Sequence, residues 1–162
     1  MRIDHPIPPV WDENCTVLIL GSFPSVKSRE GMFFYHHPQN RFWKTLAAVF
    51  DETVPQSIEE KKAFLLSHHI ALWDSIASCE IEGSGDSTIK NAVPNDISSL
   101  LQKTKITKIF CNGNASYDCY CRCILPQTGM TAQKLPSTSP ANAAWSLERL
   151  KDAWSAVKTV YK

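Results

Sequence analysis

Residues 21–43 combine side-chain types that could hold a flat heterocyclic ring. They follow a short apolar run at residues 17–20, which predicts a buried parallel strand, and Gly21 and Pro24 end that strand in a turn. The chemistry-bearing side chains that come next are Phe33, Phe34, Tyr35, His36, His37, Asn40 and Arg41. Because the ligands of open α/β sheets gather where strands end at their carboxyl side, we predict a binding site in this stretch.

Five segments together resemble one enzyme superfamily. They read GSFPS at residues 21–25, HPQNRFW at 37–43, LWD at 72–74, GSGDS at 83–87 and LPSTSPAN at 135–142. In this order they resemble the uracil-DNA glycosylase superfamily. The branch they resemble most is that of the DNA-deoxyinosine (hypoxanthine-DNA) glycosylases, with the mismatch-specific uracil/thymine glycosylases as more distant relatives.

The resemblance implies a monofunctional DNA glycosylase that hydrolyses the N-glycosidic bond of deaminated bases in base-excision repair. Hypoxanthine is the first expected base and uracil the second. A base stacked in duplex DNA is unreachable, so the nucleotide must flip out at a cost of a few kcal/mol. No motif places a lysine as a Schiff-base nucleophile, so we expect no strand-nicking activity, and no metal or organic cofactor is implied.

Asn40 is the leading catalytic candidate, with His37 beside it. In many relatives an acid or amide in the first motif handles the attacking water. Phe23 occupies that position here and cannot activate water. The resemblance to the deoxyinosine branch implies that the asparagine of the second motif, Asn40, does this work instead. Its amide offers one acceptor and two donors, which suit orienting a water or gripping the base, although asparagine is also a favoured helix cap. His37 could bond the base or the sugar-phosphate, or be only an exposed loop residue.

The resemblance also marks candidate residues for the base and for the DNA backbone. The candidates for base binding are Gly21, Ser22, Phe23, Phe34, Tyr35, Asp86 and Asn112. The candidates for DNA binding are Arg41, Ser137, Thr138, Ser139 and Asn142. In the superfamily the loop that matches residues 137–142 enters the minor groove. Its hydroxyls and the amides of a following helix would suit a phosphate, although a simple Ser-Pro helix start is the alternative.

The periodicity of the chain predicts four strands that alternate with helices. We predict strands at residues 17–20, 69–73, 106–111 and 131–135, a capped helix from Ser57 to Ser67, and a long loop at 79–95. The last helix is predicted to start with Ser139 as its N-cap and Pro140 at N1, and to carry an apolar stripe as far as Tyr161. This alternation predicts a three-layer α/β/α fold with a central, mainly parallel four-stranded sheet, which the resemblance also implies.

The composition fits a single domain, residues 1–162, and we expect it to be a cytoplasmic monomer. Hydrophobic residues make up 43% and charged residues 20% of the 162 residues, and no apolar run approaches the ~20 residues of a membrane span. The first residues lack the layout of a signal peptide. A net charge of +1 does not by itself indicate a nucleic-acid binder, so we expect any DNA contact to use a local patch.

The cysteines and the missing motifs narrow the remaining alternatives. Cys119 and Cys123 would share a helical face that Cys121 does not, so we expect the run to bind no metal. Two rival functions stay open: a module of the same fold that binds damaged DNA without turnover, and an α/β enzyme acting on small nucleosides. The chain has no GxSxG, GxGxxG or P-loop, which counts against the second rival.

Overall fold

The computed structural model describes residues 2–158 as a mixed α/β structure. The elements are, in chain order, β1 (Arg2–Asp4), β2 (Val17–Gly21), α1 (Val26–Gly31), α2 (Phe42–Val49), α3 (Ile58–Ser67), β3 (Ile70–Asp74), β4 (Ile76–Glu80), β5 (Lys90–Pro94), α4 (Ile97–Gln102), β6 (Lys108–Asn112), α5 (Asn114–Cys119), α6 (Leu125–Thr128), β7 (Ala132–Leu135) and α7 (Leu147–Trp154). A π-helical turn, Tyr120–Ile124, joins α5 to α6. Within the described residues, no helix has the length and apolar composition needed to cross a bilayer.

Four of the strands form a parallel sheet in the order β3-β2-β6-β7. The central strand is β2, where Leu20 pairs with Trp73 on one side and with Cys111 on the other. All five residues of β2 are buried, as expected for a parallel strand covered on both faces. The predicted fold class is confirmed.

The sheet carries a hydrophobic core on each face, because alternate residues of a strand point to opposite sides. Val17 and Ile19 belong to a cluster that includes side chains of α2, α3 and α7. Leu18 and Leu20 belong to a second cluster with side chains of α4 and the π-helical turn. The parallel sheet is thus the middle of three layers, with helices packed on both of its faces. This packing holds the carboxyl ends of the strands next to one another.

A second sheet, antiparallel and in the order β1-β4-β5, lies outside the predicted fold. The prediction of a long loop at residues 79–95 is wrong, since the end of β4, a 3-10 turn at Asp86–Thr88 and β5 occupy most of it. β5 reads Lys-Asn-Ala-Val-Pro and is partly exposed, so it lacks the apolar alternation by which strands are recognised. β1 pairs with β4 and so brings the N-terminal residues to this sheet.

The predicted start of the last helix at Ser139 is also wrong. α7 begins at Leu147, and Ser146 caps it by accepting the amide of Arg149 at 3.2 Å. Residues 139–142 form turns instead, because their serine and asparagine side chains bond neighbouring backbone groups. The end of the predicted apolar stripe, Tyr161, lies outside the described residues.

Candidate active site

A cavity of about 90 Å³ opens where β2, β3 and β6 end at their carboxyl side. By the usual measure this volume holds several water molecules. The lining residues are Gly21, Ser22, Phe23, Pro24, Ser25, Ser28, Phe34, Tyr35, Asn40, Asp74, Ser84, Asp86, Asn112, Ser137, Thr138 and Ser139. The fold therefore brings together all seven candidates for base binding, the catalytic candidate Asn40 and three of the five candidates for DNA binding.

Asn40 reaches the cavity from the turn before α2, and its amide has a defined orientation. Its Oδ1 accepts the backbone N–H of Phe42 at 2.9 Å and the hydroxyl of Thr138 at 2.9 Å. A backbone N–H can only donate, so the atom facing it must be the amide oxygen. Nδ2 has no hydrogen-bond partner among the described residues, so Asn40 offers the cavity N–H donors and no free acceptor lone pair. The N-cap position of α2 is Arg41, so Asn40 precedes the cap and holds the first N–H of the helix through Oδ1. The structural contact and the contact with the cavity thus use different ends of one amide.

Asn112 and Thr138 form the support behind Asn40. Asn112, at the end of β6, donates from Nδ2 to the Thr138 hydroxyl at 3.0 Å and accepts the Thr138 N–H at 3.1 Å. Both residues are buried. The Thr138 hydroxyl thus accepts from the Asn112 amide and donates to the Asn40 amide, so these two side-chain hydrogen bonds run in one direction, from Asn112 to Asn40.

Phe23, Phe34 and Tyr35 form the aromatic part of the wall. The Tyr35 ring stacks on Phe42 with centroids 4.1 Å apart and its backbone φ is 53°, an uncommon value for a residue other than glycine. The Tyr35 hydroxyl is buried and has no hydrogen-bond partner among the described residues. Burial, followed by the charge of Asp74, raises the Tyr35 pKa well above its ordinary value, so the group stays a neutral phenol.

Asp74 is a site residue that reasoning from the sequence missed. It lies at the end of β3, lines the cavity and is 3% exposed. Its Oδ2 is 2.7 Å from Nε2 of His5, whose side chain is also buried. The signal was present: Asp74 ends a predicted strand, at the edge of the sheet where ligands gather, within the LWD segment that resembles the family.

Asp86 stands at the rim of the same cavity. Its Oδ1 accepts the Ser22 hydroxyl at 2.8 Å, and the loop that carries it is fastened to the GSFPS turn through Val26 N–H and Ser84 Oγ at 2.9 Å. Partial desolvation and the charge of Asp74 raise the pKa of the Asp86 carboxyl group, and the Ser22 hydrogen bond opposes this rise. Asp86 also lines a neighbouring groove of about 730 Å³, as do Ser137 and Ser139.

Arg41 lies outside the cavity lining and supports the loop at residues 137–142. Its guanidinium donates to the carbonyls of Trp145 and Asn142, the latter at 3.0 Å, and its backbone N–H donates to Thr138 O at 3.1 Å. Within the loop, Ser137 Oγ accepts the N–H of Ser139 at 3.1 Å. Arg41 thus has a structural role in this loop, and its predicted contact with the DNA stays a prediction.

His37 lies outside the cavity lining. Its Nδ1 accepts the N–H of Gln39 at 3.1 Å, and its carbonyl accepts the N–H of Asn40 at 3.0 Å. The histidine thus stabilises the turn that presents Asn40, and the geometry does not bring its ring to the other site residues.

Cys15, Cys79 and Cys111 are buried, whereas Cys119, Cys121 and Cys123 are partly exposed. Burial raises the pKa of Cys111 and of Cys119 to about 12 each, so both remain protonated at neutral pH. Among residues 2–158 no cluster of three or more His, Cys, Asp or Glu side chains could hold a metal ion.

Comparison with known proteins agrees with this geometry. A family model described as the uracil DNA glycosylase superfamily matches residues 8–159. The chain belongs to this superfamily. It is similar to a protein named hypoxanthine DNA glycosylase from Methanosarcina acetivorans, with 35% identity over 96% of this chain and 98% of the relative. A second protein of that name, from Methanosarcina barkeri, is 35% identical over 91% of this chain and 93% of the relative.

The fold has a close counterpart among solved structures. The solution NMR structure of a Methanosarcina acetivorans protein, assigned provisionally as a uracil DNA glycosylase, superposes with a TM-score of 0.84. The two chains are 32% identical and cover each other completely. The resemblance predicted from the sequence motifs, to the superfamily and to its hypoxanthine branch, is confirmed.

We predict that Thr138→Val destabilises the protein by about 1–3 kcal/mol, because Asn112 Nδ2 and Asn40 Oδ1 each lose a buried partner. Thr45→Val is the matched control: Thr45 is also fully buried, but its hydroxyl has no hydrogen-bond partner among the described residues. The control should be neutral or stabilising. Urea denaturation measures both free energies of unfolding, and equal losses in the two variants would contradict the role of the Thr138 hydroxyl.

Proposed function

We propose that this chain excises hypoxanthine from DNA, and uracil more slowly, by hydrolysing the N-glycosidic bond. The family and the names of both relatives support a monofunctional DNA glycosylase of deaminated bases, as predicted from the motifs. The observation that carries the proposal is the Asn40 amide, whose donors face a cavity walled by aromatic rings. Among residues 2–158 no lysine lines that cavity, and we propose hydrolysis by water without a Schiff-base intermediate.

Asn40 acts on the departing base. When the C–N bond breaks, its electron pair moves onto the base, and the sugar takes on oxocarbenium character. Donors held in place before the reaction stabilise that negative charge more than they stabilise the neutral ground state, which is what accelerates a chemical step. The two hydrogen bonds at Oδ1 hold the Asn40 N–H donors in position.

The attacking water needs an acceptor that Asn40 cannot supply, because Oδ1 already accepts two hydrogen bonds. We assign this role to the Asp86 carboxylate. It sits where the cavity meets the wider groove, so it is placed between a flipped base and the rest of the DNA. Its raised pKa makes it a better proton acceptor than an ordinary aspartate.

The DNA backbone contacts the loop at residues 137–142 and the groove beside it. Ser137 Oγ and Ser139 Oγ each accept a backbone N–H, at 3.1 Å in both cases, so each hydroxyl keeps its own hydrogen to donate to a phosphate. Lys134 and Asn142 line the same groove, and Lys134 adds a positive charge there. We also propose that the enzyme acts as a monomer; the described residues that line the cavity and the groove are compatible with this.

The proposal is tested with one purified protein and a panel of duplexes that carry inosine, uracil, xanthine or a mismatch. We expect release of free hypoxanthine to be faster than release of uracil, because the aromatic wall offers a two-ring base more stacking area. The product is measured as free base and as alkali-labile strand. Tight binding of the inosine duplex without base release would support the binding module instead, and release from free nucleosides only would support the small-molecule enzyme.

Asn40→Ala and Asn40→Asp separate the chemical role of Asn40 from the structural role of its Oδ1, which accepts from Phe42 N–H and the Thr138 hydroxyl. The aspartate keeps an oxygen for Phe42 N–H and Thr138, but it replaces the N–H donors by an acceptor. We expect both variants to lose about 10²–10³ in single-turnover rate with nearly unchanged DNA affinity. Only the alanine variant should also lose about 1 kcal/mol of stability. A wild-type rate in Asn40→Asp would end the catalytic assignment.

The assignment of the water to Asp86 predicts a pH dependence with a definite sign. Only the ionised carboxylate can accept a proton, so the single-turnover rate should fall as the pH is lowered through the raised pKa of Asp86. Asp86→Asn should slow the reaction by roughly 10²-fold or more and remove this acid limb. Asp118→Asn, at an aspartate that lines only the outer groove and a neighbouring pocket, is the control. An unchanged rate and pH profile in Asp86→Asn would contradict the assignment.

A further inference from the structure

We infer that the buried His5–Asp74 pair reads the ring N–H that deamination creates in a base. The inference rests on the proposed function, and it names the feature of the substrate that the floor of the cavity recognises. The pair is nearly closed to solvent, with side-chain exposures of 4% for His5 and 5% for Asp74. A carboxylate is costly to bury, so a buried one that lines a ligand cavity calls for an explanation.

The hydrogen bonds around His5 define where the proton of the pair lies. The backbone N–H of Ile7 donates to His5 Nδ1 at 3.2 Å, so Nδ1 is an acceptor and carries no hydrogen. Nε2 must therefore carry the ring proton, which it donates to Asp74 Oδ2 at 2.7 Å. In this arrangement the histidine is neutral and Asp74 Oδ2 is an acceptor. On this inference Asp74 is an ionised carboxylate whose second oxygen also accepts.

The second carboxylate oxygen, Oδ1, is left for a ligand. It accepts no hydrogen bond from the described residues, although Asp74 lines the cavity. It lies so close to the end of β2 that a Cβ on Gly21 would overlap it and would lie 2.7 Å from the Tyr35 hydroxyl. That hydroxyl is itself buried without a partner. Both oxygens therefore lie within 2.7 Å of the position that a Cβ at residue 21 would occupy, and the glycine leaves that position open.

Deamination turns the ring nitrogen next to the lost amino group from a hydrogen-bond acceptor into an N–H donor, and a carboxylate distinguishes these two states. Adenine N1 and cytosine N3 are lone-pair acceptors, whereas hypoxanthine N1 and uracil N3 carry a hydrogen beside a carbonyl. A carboxylate oxygen accepts a hydrogen bond from this N–H. In the parent base the same ring nitrogen is itself an acceptor, so the two lone pairs would repel each other. Guanine and thymine also carry such an N–H, so the pair separates deaminated bases from their parents and leaves the exclusion of guanine and thymine to the cavity walls.

His5 is a positioning residue in this scheme. The pairing of β1 with β4 brings it under the cavity, with its backbone N–H bonded to Ala77 O at 2.7 Å. The ring packs edge-on against Phe23 at 5.9 Å between centroids. By holding Oδ2, the Nε2–H turns Oδ1 toward the base.

The test measures the binding of free hypoxanthine and free adenine, which requires no catalysis. Wild-type protein should prefer hypoxanthine. In Asp74→Asn the His5 Nε2–H would hold the amide oxygen and leave the NH₂ group facing the cavity, which replaces the acceptor by a donor. Hypoxanthine affinity should then fall by roughly 10- to 150-fold, the worth of a hydrogen bond to a charged group, and the preference should shift toward adenine. An unchanged preference in this variant would overturn the inference.

Two variants of His5 test the positioning role. His5→Gln carries an N–H at the same number of bonds from Cβ and should keep the preference for hypoxanthine. His5→Phe keeps the aromatic packing but has no donor, so it should lose most of the preference while remaining folded by thermal denaturation. Equal preferences in the two variants would show that His5 only fills space, and would contradict its role.

Excision assays on the same proteins keep the inference and the proposed function apart. If wild-type protein releases hypoxanthine from DNA but Asp74→Asn does so at the wild-type rate, the inference fails and the glycosylase assignment stands. If wild-type protein releases no base but prefers free hypoxanthine in an Asp74-dependent way, the glycosylase assignment fails and the recognition stands. Wild-type protein that neither binds nor releases hypoxanthine would overturn both.

Discussion

The hydroxyl of Thr138 is the contact on which the geometry of the site depends. It accepts from Asn112 at 3.0 Å and donates to Asn40 at 2.9 Å, and so joins the end of β6, the loop after β7 and the turn before α2. A hydroxyl is the smallest group that can accept and donate at once, and no apolar side chain of the same shape can replace it. Its direction of donation leaves Asn40 with N–H groups for the cavity. Together with the Phe42 N–H, which donates to the same oxygen, this bond sets the orientation on which the chemistry assigned to Asn40 depends.

The cavity combines aromatic walls with two carboxylates that face it from different depths. Asp74 is closed in by His5, whereas Asp86 stands at the rim and is bonded by Ser22. Two negative charges disfavour a phosphate deep in the cavity, so phosphate contacts belong to the Ser137 and Ser139 hydroxyls, which line both the cavity and the groove. Contacts through hydroxyls agree with the net charge of only +1, because the enzyme needs a local patch and not a basic surface.

The features that the sequence predicted correctly are those with a local pattern. The apolar run of β2, followed by glycine and proline, marked the central strand, and Ser57 with Glu60 forms the predicted capping box. Alternation of strands and helices was enough to predict the parallel sheet. The family motifs lie along the chain in an order that marked most of the cavity lining before any geometry was available.

The features that the sequence did not predict depend on contacts between distant residues or on competition between local patterns. His5 and Asp74 are 69 residues apart, and no periodicity connects them. At Ser139, a good cap followed by proline favoured a helix, but the hydroxyl and amide side chains of residues 137–142 bond the loop backbone, and Arg41 holds its carbonyls. β5 is short and polar, and only its pairing with β4 makes it a strand.

The most direct test is the structure of the protein bound to a duplex that carries a hydrolysis-resistant, 2′-fluorinated deoxyinosine. The account predicts a flipped hypoxanthine in the cavity, with Asn40 Nδ2 within hydrogen-bond distance of a base acceptor and Asp74 Oδ1 within hydrogen-bond distance of N1. Thr138 should still donate to Asn40 Oδ1. A base that lies outside the cavity, or an Asn40 amide that turns its oxygen toward the base or the water, would contradict the account.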